Sequence, residues 1–315
     1  MKKVSVIIVN TNTKDALKLC LENLKGKYEN LEIIVNDTCS YDGSADMVEK
    51  DFPNVKLIRG PNNGLSYGLN RALEQATGDY YLYLGSDAFP EKDTIPGLVD
   101  YMEKHPDVGG AVAKLLLRDG TQDMDGHRGF STPWASFTHF VKLGKLFPKS
   151  KLFGQYFLTY KDLSTEHEID STITHFLFMS KTAQDKVGKW DEENFFLYGE
   201  DIDFCYRLKE AGFKLMYLPQ FKAQHWKGVT IGIRKSSKDV ATQASTFNFR
   251  GKDMSKKELR VLVQKLSTQS METFYNKHYR KIYPWPLTLL IITTIRTFSF
   301  LRTTKQRIVN YLDKQ

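Results

Sequence analysis

Between residues 4 and 84 the chain alternates between two hydrophobic periods, and that alternation constrains its fold more than any other feature. VSVIIV (4–9), LEIIV (31–35), VKLI (55–58) and YYLYL (80–84) are apolar runs of strand length. Between them, TKDALKLCLENLK places Ala16, Leu17, Cys20, Leu21 and Leu24 at helical spacing, and SYDGSADMVEK and LSYGLNRALEQA continue the helical pattern. Strands that alternate with helices predict an α/β fold with a doubly wound, mainly parallel, Rossmann-like sheet. Runs this apolar fit strands covered on both faces.

Beyond Asp100 the alternation weakens. Residues 117–168 are rich in Gly, Pro, Ser, His and aromatic residues with little periodicity, which reads as long loops around a site. HFLFM (175–179) reads as a buried strand, KTAQDKVG as a helix, EDIDFCYRLKEAG as a helix ending at Gly212, and KLMYLP as a short strand. A polar, Lys- and Ser-rich stretch then reads as a linker over 231–258, ahead of basic amphipathic helices over 259–315.

With 41% apolar and 26% charged residues, the composition is that of a soluble globular protein. Cys20, Cys39 and Cys205 lie far apart, which favours a reducing compartment over a disulfide frame or a structural zinc site. The apolar run in MKKVSVIIVN is too short for a signal-peptide core and is expected to be the first strand.

The net charge of +8 is concentrated at one end. From Glu272 to Gln315 there are eight Lys and Arg residues against two acids. The most apolar piece there, Pro286 to Leu301, would measure about 24 Å as a helix. A bilayer span needs roughly 20 apolar residues, so this segment is expected to lie in the membrane interface, with Tyr283 and Trp285 at one end. A tail helix of this kind can equally dock on a twin, as in a homodimer. Its long Ile/Leu/Phe run argues against nucleic acid as the partner.

Three acid groups fall where strands should end: Asp37 after LEIIVN, Asp87 after YYLYLGS, and Glu200-Asp201 after NFFLYG. Each alone also fits a turn former or a helix-dipole partner. Together they predict a cluster on one sheet edge, where open α/β sheets bind ligands. VNTNTKDA after the first strand lacks the Gly-x-Gly-x-x-Gly of a dinucleotide site, and Walker and Gly-x-Ser-x-Gly motifs are absent. A phosphate-bearing ligand would then need a metal to hold its charge, with Asp87 as a hard oxygen ligand for Mg2+ or Mn2+.

The order VSVIIVNTN, LEIIVNDTCSYDGS, PNNGLSYGLNRALEQATGDYYLYLGSDAFP, VGKWDEENFFLYGEDIDFCYRLKEAGFKLMYLP and AQHWKG resembles the family-2 glycosyltransferases, in particular their bacterial rhamnosyltransferase-like branch. The resemblance covers about residues 3–230, and METFYNKHYRKIY resembles the helix that follows the catalytic domain in that branch. It implies a GT-A fold, a nucleotide-sugar donor of dTDP or UDP type, a divalent cation and inversion at the sugar carbon. The catalytic domain would then occupy 1–230, with a nucleotide-sugar half over 1–110 and an acceptor half over 111–230.

Carried onto this sequence, the resemblance gives Asp37 to the nucleotide base, Asn12 to the loop lining base and ribose, and Asn63, Gly64 and Asn70 to the donor. Asp87 corresponds to the second acid of the family's Asp-x-Asp metal motif, and Gly85 stands in place of the first. His225 matches a metal- and diphosphate-binding histidine. Trp190 and Asp191 match the acceptor-side motif, and Glu200-Asp201 the pair that supplies the base, with Asp201 in that role. Thr174 replaces a common Gly ahead of the acceptor-side strand. Arg128, Trp134 and Phe137 fall in loops where acceptors bind in that family, suited to a lipid diphosphate or a sugar face.

The expected activity is sugar transfer from a nucleotide-sugar to a lipid-linked saccharide for a surface polysaccharide, at the inner face of the plasma membrane. The rival readings are a sugar nucleotidyltransferase, which would want a glycine-rich basic loop after the first strand, and a degenerate membrane-bound scaffold, which Gly85 and Thr174 would suit.

Overall fold

The computed structural model describes residues 1–229 and 244–312. The expected strands and helices form in order: β1 (Val4–Asn10), α1 (Lys14–Leu24), β2 (Leu31–Thr38), α2 (Ser44–Asp51), β3 (Lys56–Gly60), α3 (Leu65–Leu73) and β4 (Tyr80–Leu84). β1 pairs in parallel with both β2 and β4, and β2 with β3. The sheet is covered on both sides, so Val6, Ile7, Ile8, Ile34 and Leu82 are all fully buried. That double coverage is why these strands read as continuous apolar runs.

The second half of the sheet departs from the simple parallel pattern. β5 (Ala88–Pro90), β6 (Val108–Leu116), β7 (His167–Ile169), β8 (Phe176–Ser180) and β9 (Lys214–His225) complete a nine-stranded sheet of order β3-β2-β1-β4-β8-β6-β9-β5, with β7 also on β9. β6 and β9 are parallel, whereas β8 runs antiparallel to both its neighbours, β4 and β6. A long connection feeds β8 into the sheet, so it is free of the direction that a short helical crossover imposes. α4 (Thr94–Lys104) precedes β6, and α5 (Pro133–Phe140) and α6 (Leu143–Leu146) stand within that connection.

The strand expected at KLMYLP is longer than its apolar run. β9 pairs with β6 up to Leu218, breaks register around Pro219, and resumes at Lys222. Pro219 has no N–H for a ladder, which fits the break. The resumed half pairs antiparallel with β5, setting Ala88 opposite His225. α7 (Lys181–Val187), capped by the Ser180 hydroxyl, and α8 (Glu200–Glu210) flank this half of the sheet.

Residues 231–243 of the expected linker lie outside the described residues. The rest of it holds a hairpin of β10 (Thr246–Phe249) and β11 (Lys252–Ser255). α9 (Lys256–Phe274) follows with a Ser255/Glu258 capping box, then a single π turn (Tyr275–Tyr279), then α10 (Trp285–Leu312). α10 folds back on α9 through Thr268 to Ser299 (2.6 Å), Tyr275 to Thr288 (2.9 Å) and Arg296 to Glu272 (2.6 Å). No helix among the described residues is long and apolar enough to cross a membrane.

A small second core joins this tail to the sheet domain. Phe195 and Ile202 pack with Phe274, Tyr275 and Tyr279. A polar knot reinforces it: Asp203 on α8 is fully buried and receives Arg207 (2.9 Å), Lys277 (2.6 Å) and His278 (2.7 Å).

Candidate active site

The carboxyl ends of β1, β2 and β4 converge, as open α/β sheets place their ligand crevice. β4 delivers Asp87 and β9 delivers His225, and both are buried. The antiparallel β8 adds His175, whose backbone carbonyl accepts from the Gly85 N–H at 3.0 Å. Their ligand atoms all lie within 4.8 Å of one another. Asp87 Oδ1 stands 3.7 Å from His225 Nε2 and 3.9 Å from His175 Nε2.

Asp87 Oδ1 and His225 Nε2 are buried and have no hydrogen-bond partner among the described residues. Buried polar atoms are normally satisfied, and one carboxylate with two imidazoles is a suitable donor set for a divalent cation. These three residues therefore fit a metal ion. The other ring nitrogen of His225 bonds Asp123 Oδ2 at 2.7 Å, fixing the imidazole's orientation. Burial alone would raise the Asp123 carboxyl, but hydrogen bonds from His225 and Lys227 hold it well below the usual range. Burial lowers His175 against the pull of Asp87, which favours the neutral, ligating ring.

Gly85 is explained by the same geometry. A Cβ there would sit 2.6 Å from His175 Cδ2 and 2.8 Å from Asp87 Oδ1. The imidazole of His175 thus occupies the space that a side chain at position 85 would need. Sequence reading noted the gap at Gly85 but did not select His175 or Asp123. The only signal for His175 was a polar residue heading an otherwise apolar strand.

Glu200 and Asp201 open α8. Arg128 Nη2 donates to Asp201 Oδ2 at 2.6 Å and to the Thr172 carbonyl at 3.3 Å. Backbone bonds in both directions between Arg128 and Ser171 hold the arginine's strand in place. Burial opposes the guanidinium charge, but the Asp201 carboxylate keeps it protonated. Arg128, whose loop is expected to meet an acceptor, thus commits Nη2 to Asp201 and Thr172. Glu200 is buried without a partner for Oε2, and burial followed by the Asp201 charge pushes its carboxyl up to about 8. Both influences favour the protonated form of Glu200.

Asp37 is buried at the end of β2, where it accepts from Asn10 (2.8 Å), the Ser40 hydroxyl (2.7 Å) and the Ser40 N–H (3.0 Å). It lines a cavity of about 310 Å³ with Ser40, Arg59 and Gly60. Asn12 has a left-handed backbone (φ 53°) and accepts from the Tyr41 N–H at 2.6 Å. The β10–β11 hairpin closes over this end: Asn12 reaches the Thr246 carbonyl at 3.5 Å, Tyr41 donates to Asp253 at 2.6 Å, and Asn62 to the Asn248 carbonyl at 2.8 Å.

Asn63 is half-buried in the turn before α3. At Gly64 (φ 107°) a Cβ would meet the Phe196 carbonyl at 2.5 Å, so this position needs glycine for close approach. Asn70 does not point at the crevice: its amide clamps the Trp190 backbone, N–H to Oδ1 and Nδ2 to carbonyl, both at 2.9 Å. Trp190 stacks on Phe204 (4.1 Å) and meets Tyr83 edge-on (4.9 Å), so its ring is spent on the core. Asp191 pairs with Lys277 at 2.7 Å, and Thr174 is buried. A larger cavity of about 810 Å³ lies between residues 194–197 and the α9–α10 hairpin, and its lining includes none of the metal-site residues or the α8 acids.

Residues 5–161 match the family model described as glycosyl transferase family 2. The chain is 26% identical to rhamnosyltransferase WbbL of Escherichia coli K12, over 71% of this chain and 83% of that protein. It is 25% identical to an N-acetylglucosaminyl-diphospho-decaprenol L-rhamnosyltransferase of Mycobacterium tuberculosis, over 70% of this chain and 74% of that one. Its fold resembles a mannosyltransferase from Pyrobaculum calidifontis solved with GDP-Man and Mn2+, with a TM-score of 0.53 at 14% identity, covering 100% of this chain and 88% of that one.

Proposed function

We propose, from the premise that this chain is a glycosyltransferase whose residues 5–161 belong to family 2, that it moves a sugar with inversion from a nucleotide-sugar to a hydroxyl of a lipid-linked saccharide. The proposed sugar is a deoxyhexose, rhamnose from its dTDP donor, a choice supported by the two relatives named as rhamnosyltransferases. The setting is the inner face of the plasma membrane, reached through the C-terminal helices, in the assembly of a surface glycan.

The observation that carries this reading is the cluster of buried Asp87 and His225 with half-buried His175, with the Arg128-held Asp201 nearby. The Asp201 charge acts on His175, which supports one shared site for base and cluster. A divalent cation bound by Asp87, His175 and His225 would supply charge to offset the negative charge gathering on a departing nucleotide diphosphate. Asp123 holds His225 in register for that task. Asp37 and Ser40 line the cavity assigned to the nucleotide base.

On the acceptor side, Asp201 takes the proton of the attacking hydroxyl, and attack comes from the face opposite the leaving diphosphate. Arg128 on Oδ2 and the Ile202 N–H on Oδ1 fix the carboxylate's orientation, and each oxygen keeps a lone pair that can accept the hydroxyl proton. Glu200, protonated beside it, adds no competing charge. No covalent enzyme intermediate is needed, and the buried Cys20 and Cys205 thiols, both pushed up by burial, suit core packing instead of nucleophilic attack.

The test is thermal denaturation of the purified protein with dTDP-, UDP- and GDP-sugars, each with and without Mn2+. A ligand that binds only the native state raises its melting temperature. The expected result is a rise with the dTDP-sugar that grows with Mn2+. Folded protein that responds to no nucleotide-sugar would overturn the reading.

A further inference from the structure

The connection between β6 and β8 carries a surface that the sugar chemistry does not use. α5, α6 and the segment up to Leu152 expose Phe137, Phe140, Leu146, Phe147 and Leu152 to solvent, Leu146 at 69% and Phe140 at 52%. Single exposed apolar side chains are ordinary, but a cluster of large ones is not. The cluster does not belong to a loose loop. Trp134 Nε1 donates to the Leu152 carbonyl at 2.9 Å, His139 stacks on Tyr156 at 4.1 Å, and Phe147 packs on Phe153 at 5.6 Å. One aromatic side of the lobe is thus used to make it rigid, and the other faces outward.

Charge adds an independent observation. From Arg128 to Lys161 the sequence contains no Asp or Glu, while Lys142, Lys145, Lys149 and Lys151 stand among the exposed apolar residues. Interleaved lysines and large apolar side chains match the chemistry of an anionic bilayer surface, where headgroups take the charge and the acyl boundary takes the rings. The lobe is also continuous with the tail. Phe140 meets Phe298 of α10 with ring centroids 5.4 Å apart. α10 itself exposes Trp285, Leu289, Leu290, Leu301 and Ile308.

We propose that the α5–α6 lobe is a second membrane-docking element, which with α10 forms one surface for anionic lipid and sets the catalytic mouth against the bilayer. The inference rests on the peripheral-membrane part of the proposed function and extends it to a part of the catalytic domain. The two elements are far apart in sequence but in contact in space, so docking on both fixes the orientation of the sheet domain, where a single helix would leave it free to swing. Arg128, near the start of the same connection, bonds Asp201 on α8, so the segment that carries the lobe also touches the proposed base.

The experiment is sedimentation of the full chain with vesicles of phosphatidylcholine alone or mixed with phosphatidylglycerol, in the absence of donor and acceptor. Leu146→Asp/Phe147→Asp and Lys142→Gln/Lys145→Gln/Lys149→Gln are compared with the unaltered protein and with Leu289→Asp/Leu301→Asp in α10. The expected result is preference for anionic vesicles, weakened by salt, and a loss of about tenfold or more in each variant. Leu146, Leu289, Leu301 and the lysines are exposed, so their substitution should leave melting temperatures unchanged; Phe147 also packs on Phe153, and the lysine variant keeps the test decisive if the apolar one misfolds. Donor-induced thermal shifts in the same variants should match the unaltered protein, which separates failure of docking from failure of the sugar-transfer reading. Vesicle binding unaffected in both α5–α6 variants would overturn the proposal. So would a protein that ignores anionic vesicles, or one in which these variants only convert a dimer to a monomer, since the surface would then belong to a second copy.

Discussion

Arg128 and Asp201 meet at 2.6 Å although 73 residues separate them in the chain. The guanidinium also reaches the Thr172 carbonyl, so it is anchored before it touches the acid. The other oxygen, Oδ1, accepts from the Ile202 N–H at 2.8 Å, so the whole carboxylate is held in a fixed direction.

Asp201→Asn should lower single-turnover sugar transfer by roughly 10²–10⁴, the range for loss of a general base. Arg128→Ala should also slow transfer while leaving donor affinity unchanged, because Arg128 acts through Asp201. Arg128→Lys keeps the charge on a shorter side chain without the planar guanidinium that reaches both Asp201 and Thr172, and should recover only part of the rate. Equal rates in Arg128→Ala and the unaltered protein would remove Arg128 from this role.

Replacing the cluster residues should separate metal affinity from folding. Asp87→Ala and His175→Ala are each expected to weaken Mn2+ binding, read by calorimetric titration. Asp123→Asn, which is no ligand itself but backs His225, should cost about 10–100-fold in Mn2+ affinity. Gly85→Asp alone collides with the His175 ring; in a His175→Ala background that clash is gone and only the 2.8 Å approach to Asp87 Oδ1 is left, which a turn of that carboxylate relieves. That double variant should regain metal affinity lost in His175→Ala, and a further loss would contradict the exchange of ligands.

The pH dependence of stability should report Glu200. Its folded value of about 8 lies above the ordinary 4.5, so the native state holds a proton that the unfolded state releases between those values. Stability from this group is therefore fully present below about 4.5 and is lost as pH rises towards 8. Glu200→Gln keeps the neutral shape and should flatten that decline in urea unfolding series. An unchanged slope would mean that Glu200 is already ionised in the native protein.

The tail should be part of the domain's stability. Asp203→Asn leaves Arg207, Lys277 and His278 facing a neutral amide, and breaking such a buried charge cluster costs about 3–5 kcal/mol. Hydrogen bonds from His278 and Lys277 lower the Asp203 carboxyl in spite of its burial. Its contribution is thus present above the unfolded carboxylate range and is lost as pH falls through the lowered folded value. A chemical denaturation midpoint that does not move in Asp203→Asn would show the knot to be dispensable.

Much of the first half of the sheet was legible from local pattern. The apolar runs from VSVIIV to YYLYL and the helices between them follow local periodicity, and Asp37 and Asp87 stand at strand ends because the period stops there. Residues at the far side of the sheet were less legible. Trp190 lies in a recognisable motif, yet its ring is taken by Phe204 and Tyr83, and Asn70 turned out to hold the Trp190 backbone. Motif order shows that such residues matter together but not which of them face a cavity.

The sequence by itself determined the α/β layering, the sites of the acids, and the basic, apolar tail, because each depends on the spacing of residues within one segment. Only the tertiary structure decided that His175 fills the space beside Gly85, that Arg128 holds Asp201, and that Lys277 and His278 tie the tail to α8. Those contacts depend on the antiparallel insertion of β8, the break in β9 at Pro219 and the return of the C-terminal helices. Each is a choice of partner between distant segments, and no local period in the chain encodes it.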